Sequence, residues 1–552
     1  MNDQAARPTH ADDRFKQVVK AFFDRFVVRE PVLATFLGIH TEDGRLADTT
    51  REAKEAALQE SRRFLADVEA IEASELSAEQ QFERDLAIHA ARRWIFDDEI
   101  HRVWERRASA MDEVGDGLFS LFARDFAPLP ERLASMTSRL EEAPRVIDEN
   151  RRRLGDRPVR LWNELELESA GEMGSLFEEI LAAGRGAWGA RSIEQRRLEG
   201  ASQRALGAIE DYRGWLQEVI GSAGQDFPLG GENYEELVRL RGFDGLDASQ
   251  ILEIGVQQLA DNKSARARVA RQIDPDATEA EVLDRVKSNH PTDFQAALEA
   301  YREAMFRARD FVVERDLATL PEGEALEVIA TPDYLRNVLP FAAYFSPGKF
   351  DERPSGIYVA TPSVDGDASA MREHNYSSVS NTSIHEAYPG HHLQLSAANA
   401  HPSLLRILVD APEFVEGWGM YSEQMMREEG FDAGPEFMLM LYTDAIWRSC
   451  RIILDVRLHR GEIGVDEAID FLVEHTGFER PNATAEVRRY TYTPTYQLSY
   501  LLGKVLLLRL REEQRGRLGD RFSLKRFHDA MLYAGSLPIS FQRRLLQGIQ
   551  GD

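Results

Sequence analysis

The residues most able to do chemistry lie in one stretch, Ile384-His385-Glu386-Ala387-Tyr388-Pro389-Gly390-His391-His392-Leu393-Gln394, which places three imidazoles and a carboxylate within eight positions. A His followed at once by Glu, with a second His downstream, is the pattern of a zinc-hydrolase helix, in which imidazoles bind the ion and the Glu activates its water. In the standard form the two His are four apart and share a helix face. Here His385 and His391 are six apart, about 120° and about 9 Å on an ideal helix, too far to share one ion. Pro389 and Gly390 supply the remedy. Pro389 has no N–H for the carbonyl of His385 and its ring crowds that turn, while Gly390 permits unusual dihedrals. The helix is predicted to bulge or break there, with two residues looped out and His391 returned to the face of His385. His392, about 10 Å along an ideal helix from His385, is the weaker ligand candidate.

A third ligand is expected from a following helix. Phe414-Val415-Glu416-Gly417-Trp418-Gly419-Met420-Tyr421-Ser422-Glu423 carries two acids seven apart on one face. Glu416 lies twenty-five residues after His391, room for one helix to end and another to run back. A His385, His391, Glu416 set with one open position is the catalytic form of zinc site, with one zinc ion per chain. Glu423 fits better as a residue that orients a ligand.

These segments resemble the bacterial domain of unknown function 885 family, whose pattern runs H-E-x-x-P-G-H-x-x-Q and then V-E-G-W-x-x-Y-x-E. The resemblance extends from Pro31–His40 to Tyr500–Lys504. It is distantly similar to gluzincin zinc peptidases of the thimet oligopeptidase and angiotensin-converting enzyme type, which implies a mainly α, two-lobed helical body and a Glu ligand on a following helix. Glu386 would then be the general base. Tyr490 and Tyr500, in Arg488-Arg489-Tyr490-Thr491-Tyr492-Thr493-Pro494-Thr495-Tyr496-Gln497-Leu498-Ser499-Tyr500, are candidates to donate to an oxyanion. The family carries a Pro-Gly-Gln turn here. This chain has Thr495 where Gly is expected, and Gln497 sits one place late.

The expected activity is a zinc-dependent peptidase acting on short peptides. A metallohydrolase of a non-peptide amide or ester would use the same water and base, and a non-catalytic helical metal-binding protein is a third possibility. The intact Glu386 speaks against the last, since a structural site needs no base.

Other elements must position these groups. Arg448, Arg451, Asp455 and His459 follow a helical i, i+3, i+7, i+11 progression. They are read as residues orienting the ligands, as an anchor for a substrate carboxylate, or as an interhelical salt-bridge network. From Ala11 to about Arg315 apolar residues recur every three to four positions, predicting amphipathic helices. Phe15, Val18, Val19, Phe22 and Phe26 show the pattern. Ser77 reads as an N-cap, and the segments 129–154, 191–221 and 247–272 as long helices. Leu326–Ala330 and Gly356–Ala360 read as short strands. They are either a free edge on which an extended peptide could pair or a small hairpin over the core. The softest boundary lies near Leu317–Glu324, giving an N-terminal helical lobe at 1–316 and a metal-site lobe at 317–552. Gly221–Gly231 and Asp274–Asp276 are short linker candidates.

The chain has 552 residues, with 67 basic against 94 acidic residues and a net charge of -27. Such an excess argues against nucleic acid or an anionic membrane as a partner and leaves a peptide or other small amide as the expected one. The oligomeric state stays open. One cysteine, Cys450, excludes an internal disulfide and reads as a core residue. With no apolar run near the ~20 residues needed to span a bilayer, the chain is expected to be cytoplasmic.

Overall fold

The computed structural model describes residues 10–331, 336, 342–362 and 370–548. It is mainly helical, with one small sheet. The chain forms two compact units: residues 1–227 with 348–354 and 403–408, and residues 228–347 with 355–402 and 409–552. The division falls inside the linker candidate Gly221–Gly231, not at the expected boundary near 317. Helices at 231–314 belong with the segments that carry His385, His391 and Glu416, and their amphipathic pattern is no different from that of the helices before them. That is why the sequence hid the division.

The first unit is built from helices, most of them amphipathic. In His10–Arg29, Phe15, Val19, Phe22 and Phe23 are buried, and Phe22 stacks on Trp94. Ser77 accepts a hydrogen bond from the Gln80 N–H and opens Ala78–Phe96. Leu129–Arg153 and Ile193–Ser222 form as expected. Not every charge in these helices is a solvated face. Arg139 is fully buried and donates to the Arg45 carbonyl at 3.0 Å and to Thr35 Oγ1 at 2.7 Å, pinning the connection that follows the first helix.

The second unit holds every candidate site residue. Its sheet has the order β1 (Leu326–Ala330), β3 (Gly356–Ala360), β2 (Ala342–Phe345). β1 runs parallel to β3 and β2 antiparallel to it, so the two strands foreseen do not pair as a hairpin. The central strand buries Tyr358, whose ring meets Tyr301 of the helix Phe294–Glu314 edge-on at 5.7 Å. Cys450 is buried in Pro435–His459.

His459 and His528, both in this unit, are fully buried. Burial pushes both down to about 4, below the ~6.5 of an exposed histidine. The unfolded chain therefore binds protons that the folded one refuses. Their contribution to stability is complete above pH ~6.5 and is lost as the pH falls toward 4. At pH 5 each histidine is expected to cost about 2 kcal/mol. Urea midpoints at pH 7 and pH 5 measure this, and His528→Gln should make the pH dependence shallower. An unchanged slope would contradict it.

Candidate metal centre

The helix Tyr376–Glu386 stops just past His385, and a second helix, His391–Asn399, starts at His391. The distortion is a full break of four residues, Ala387–Gly390, with a cis Tyr388–Pro389 peptide, in place of a two-residue loop. Gly390 N–H bonds back to the Ile384 carbonyl at 3.0 Å. A Cβ on Gly390 would lie 1.9 Å from the His385 carbonyl oxygen, so only glycine allows this turn. Trp418 Nε1 donates to the Pro389 carbonyl at 2.7 Å and ties the turn to the next ligand helix.

That helix, Pro412–Glu428, presents Glu416, Gly419 and Glu423 along one face. A Cβ on Gly419 would meet the His385 ring at 2.6 Å, so the imidazole lies directly over the glycine, between the two acids. Gly417 backs against Gly503 of Leu501–Leu518, where a Cβ would come within 2.7 Å of backbone. This contact sets the depth of Glu416.

The result is a converging group. His385, His391 and Glu416 each offer a ligand atom, and these atoms lie within 4.8 Å of one another. His385 Nε2 is 3.6 Å and His391 Nε2 3.4 Å from Glu416 Oε2. The two rings stand perpendicular, 4.7 Å between centroids. Glu423 Oε1 lies 2.7 Å from His385 Nδ1, which directs the Nε2 lone pair toward the group. Asn381, to which the sequence assigned no task, donates to Glu423 Oε2 at 3.0 Å and to Asp444 at 2.9 Å. Burial opposes a charged imidazole, but Glu416, Glu423 and Glu386 carry His385 up to about 10. The pocket favours positive charge, which a proton or a divalent ion can supply. Two imidazole nitrogens and a carboxylate oxygen, nearly buried, suit zinc. Glu386, next in sequence to His385 and half-buried, stands outside the converging group.

The remaining candidates divide. His392 is turned away from the group: Nε2 lies 2.7 Å from Glu324 and Nδ1 3.0 Å from the Tyr344 hydroxyl. Tyr388 also donates to Glu324. Burial would raise Glu324, but the bonds from His392 and Tyr388 hold it down at about 2. Tyr490 is fully buried, and its hydroxyl donates to Glu486 at 2.7 Å while receiving Arg451 Nε at 3.2 Å. The phenol that reaches the group is Tyr496, which donates to Glu416 Oε1 at 2.9 Å. Tyr500 sits beside it, rings edge-on at 5.9 Å, its phenol pushed up to about 12 by burial and the charge of Glu416. Tyr496 stood in the same phenol-rich run, but no spacing rule singles it out.

The polar row clamps this segment. Asp455 accepts from Tyr234 at 2.6 Å and from the Thr495 N–H at 2.9 Å. His459 Nε2 lies 3.0 Å from the Tyr490 carbonyl. Arg451 donates to Glu486 at 2.8 Å. These three form the interhelical network, while Arg448 stacks on Trp447. Thr495 has φ +67°, the left-handed conformation that explains the Gly expected there. Gln497 bonds Thr493 Oγ1 and His374 bonds Tyr301; neither takes part in the group.

The solved structures of two bacterial proteins are among those that share this fold. A candidate lipoprotein of unknown function from Shewanella oneidensis is 25% identical, covering 97% of this chain and 99% of its own, with TM-score 0.78. A candidate lipoprotein from Colwellia psychrerythraea is 18% identical, covering 97% and 98%, with TM-score 0.83. No match was found among curated proteins. The family model described as bacterial protein of unknown function (DUF885) matches residues 31–546, and with more than nine-tenths of its length matched the chain belongs to that family.

Proposed function

We propose that the chain is a zinc-dependent hydrolase, a peptidase of short peptides in the manner of gluzincins. The observation that carries this is the convergence of His385, His391 and Glu416 beside a Glu386 that is not one of the converging groups. His385, His391 and Glu416 would hold the zinc ion, which when bound would supply a water of near-neutral pKa and a Lewis acid for the carbonyl. Glu386 accepts the proton of the attacking water and returns it to the leaving nitrogen. Glu423 keeps His385 in the tautomer that presents Nε2. Tyr496 holds the Glu416 carboxylate, and Tyr500, beside it, is the better placed of the two predicted phenols to donate to an oxyanion. Peptides are favoured as substrates because β2, an outer strand among the described residues, carries Tyr344 against His391 and His392. An extended chain on that edge would lie at the group.

Among the described residues no helix is long and apolar enough to cross a membrane. The lipoprotein descriptions of the two relatives favour the cell envelope over the expected cytoplasmic setting. Cys450, buried in its helix, is not the residue that would carry a lipid.

Elemental analysis and a peptide-library digest test the hydrolase. About one zinc per chain is expected, with cleavage lost on chelation and recovered when zinc is returned. Protein that takes up no zinc, or zinc-loaded protein that cleaves nothing, would sink the reading.

A further inference from the structure

The two imidazoles of the converging group are not held alike. His385 has its Nδ1 fixed by Glu423 at 2.7 Å. His391 Nδ1 is buried and meets no hydrogen-bond partner among the described residues, although its Nε2 lies 3.4 Å from Glu416 Oε2. An imidazole can turn its ligand nitrogen away from an ion, and a hydrogen bond at the other nitrogen is what ordinarily prevents this. For His391 something else must.

The ring lying along His391 is Tyr344 of β2, with centroids 6.5 Å apart and planes 24° from parallel, within the range of an offset stack. Its hydroxyl is tied down 3.0 Å from His392 Nδ1. His392 Nε2 in turn lies 2.7 Å from Glu324 Oε2, and Arg309 donates to the other Glu324 oxygen at 3.2 Å. A carboxylate can only accept, so His392 donates through Nε2, and Nδ1 of the neutral ring accepts the Tyr344 O–H. The far end of this chain is anchored by Arg309 on Phe294–Glu314, the near end by the pairing of Tyr344 with Tyr358 of β3. β3 also leaves room for it: a Cβ on Gly356 would lie 2.7 Å from His392 Nδ1 and 2.8 Å from the Tyr344 hydroxyl oxygen. His392 is fully buried and follows His391 directly in the second ligand helix, so the same chain pins the backbone from which His391 projects.

We propose that Tyr344, locked by His392 and Glu324, is the positioning residue of His391, its stacked ring replacing the hydrogen bond that Nδ1 lacks. This gives the second His of the adjacent pair a task other than ligation. It rests on the zinc reading above.

Zinc affinity, by competition with a chromogenic chelator, and the visible spectrum of the cobalt-substituted protein test this without turnover. Tyr344→Leu removes ring and hydroxyl. It should weaken zinc binding by about 10–100-fold and shift the cobalt bands, which report ligand geometry. Tyr344→Phe keeps the ring against His391 and cuts only the bond to His392. It should lose about tenfold, the lower end of that range, with the urea midpoint of the apo protein unchanged, and it decides the matter where Tyr344→Leu proves unstable. Parent-like affinity in Tyr344→Phe, or a weakened site whose cobalt spectrum does not move, overturns the proposal. The hydrolase reading fails separately. A parent protein that takes up no zinc sinks both, whereas zinc binding that falls in the Tyr344 variants of a protein that cuts no peptide sinks the peptidase and leaves the positioning role standing.

Discussion

Glu386→Gln is expected to lower peptide turnover by about 10²–10⁴-fold while the protein keeps its full zinc content. Gln preserves the size of the side chain and removes only its ability to take a proton. Glu386 is the last residue of Tyr376–Glu386, immediately after His385, and lies outside the group whose ligand atoms converge. The fold should therefore be indifferent to the change, and kcat should carry nearly all of the loss. Steady-state kinetics beside elemental analysis separates the outcomes. Turnover near the parent level would mean another residue is the base. Loss of zinc together with turnover would make Glu386 a ligand and require a different arrangement of the site.

The parts of this architecture that could be read from the chain are those governed by local physics. The helices 129–154 and 247–272 were bounded to within a residue or two of Leu129–Arg153 and Ala248–Ile273, because apolar periodicity and capping residues are local. β1 and β3 were placed at their observed ends for the same reason. The break after His385 was legible too, since a proline that cannot donate followed by glycine leaves a helix few alternatives. What escaped notice depends on partners far along the chain. Nothing near His392 announces that Glu324, 68 residues earlier, will hold it away from His385, His391 and Glu416. Nothing near Arg139 announces the carbonyl of Arg45, 94 residues away, that makes its burial tolerable. The choice among phenols turned on one backbone angle. With Thr495 at φ +67° and its N–H on Asp455, the chain turns so that Tyr496, not Tyr490, points at Glu416.

The same dependence of chemistry on one backbone position yields the second large effect. Gly390→Ala would place a methyl carbon 1.9 Å from the His385 carbonyl oxygen and 2.3 Å from that of Ile384. Both obstacles are backbone at the end of a ligand helix, so no flexible side chain can yield. Either the turn opens or the helix end moves, and both displace His391 relative to His385. We expect a loss of about 2–4 kcal/mol in stability, at the upper end of what overpacking costs, together with loss of zinc. Two comparisons give the result its meaning. His391→Ala removes a ligand without touching the turn and should lose zinc with little change in the urea midpoint of the apo protein. Gly464→Ala, at a helix N-cap with no atom within 4 Å of an added Cβ, should keep its zinc and cost no more than about 1 kcal/mol, the loss of a favourable cap residue. If Gly390→Ala instead matched Gly464→Ala, the tight turn would not be what brings the two imidazoles together, and the site would have to form through the Trp418 bond to Pro389 and the packing of Glu416 alone.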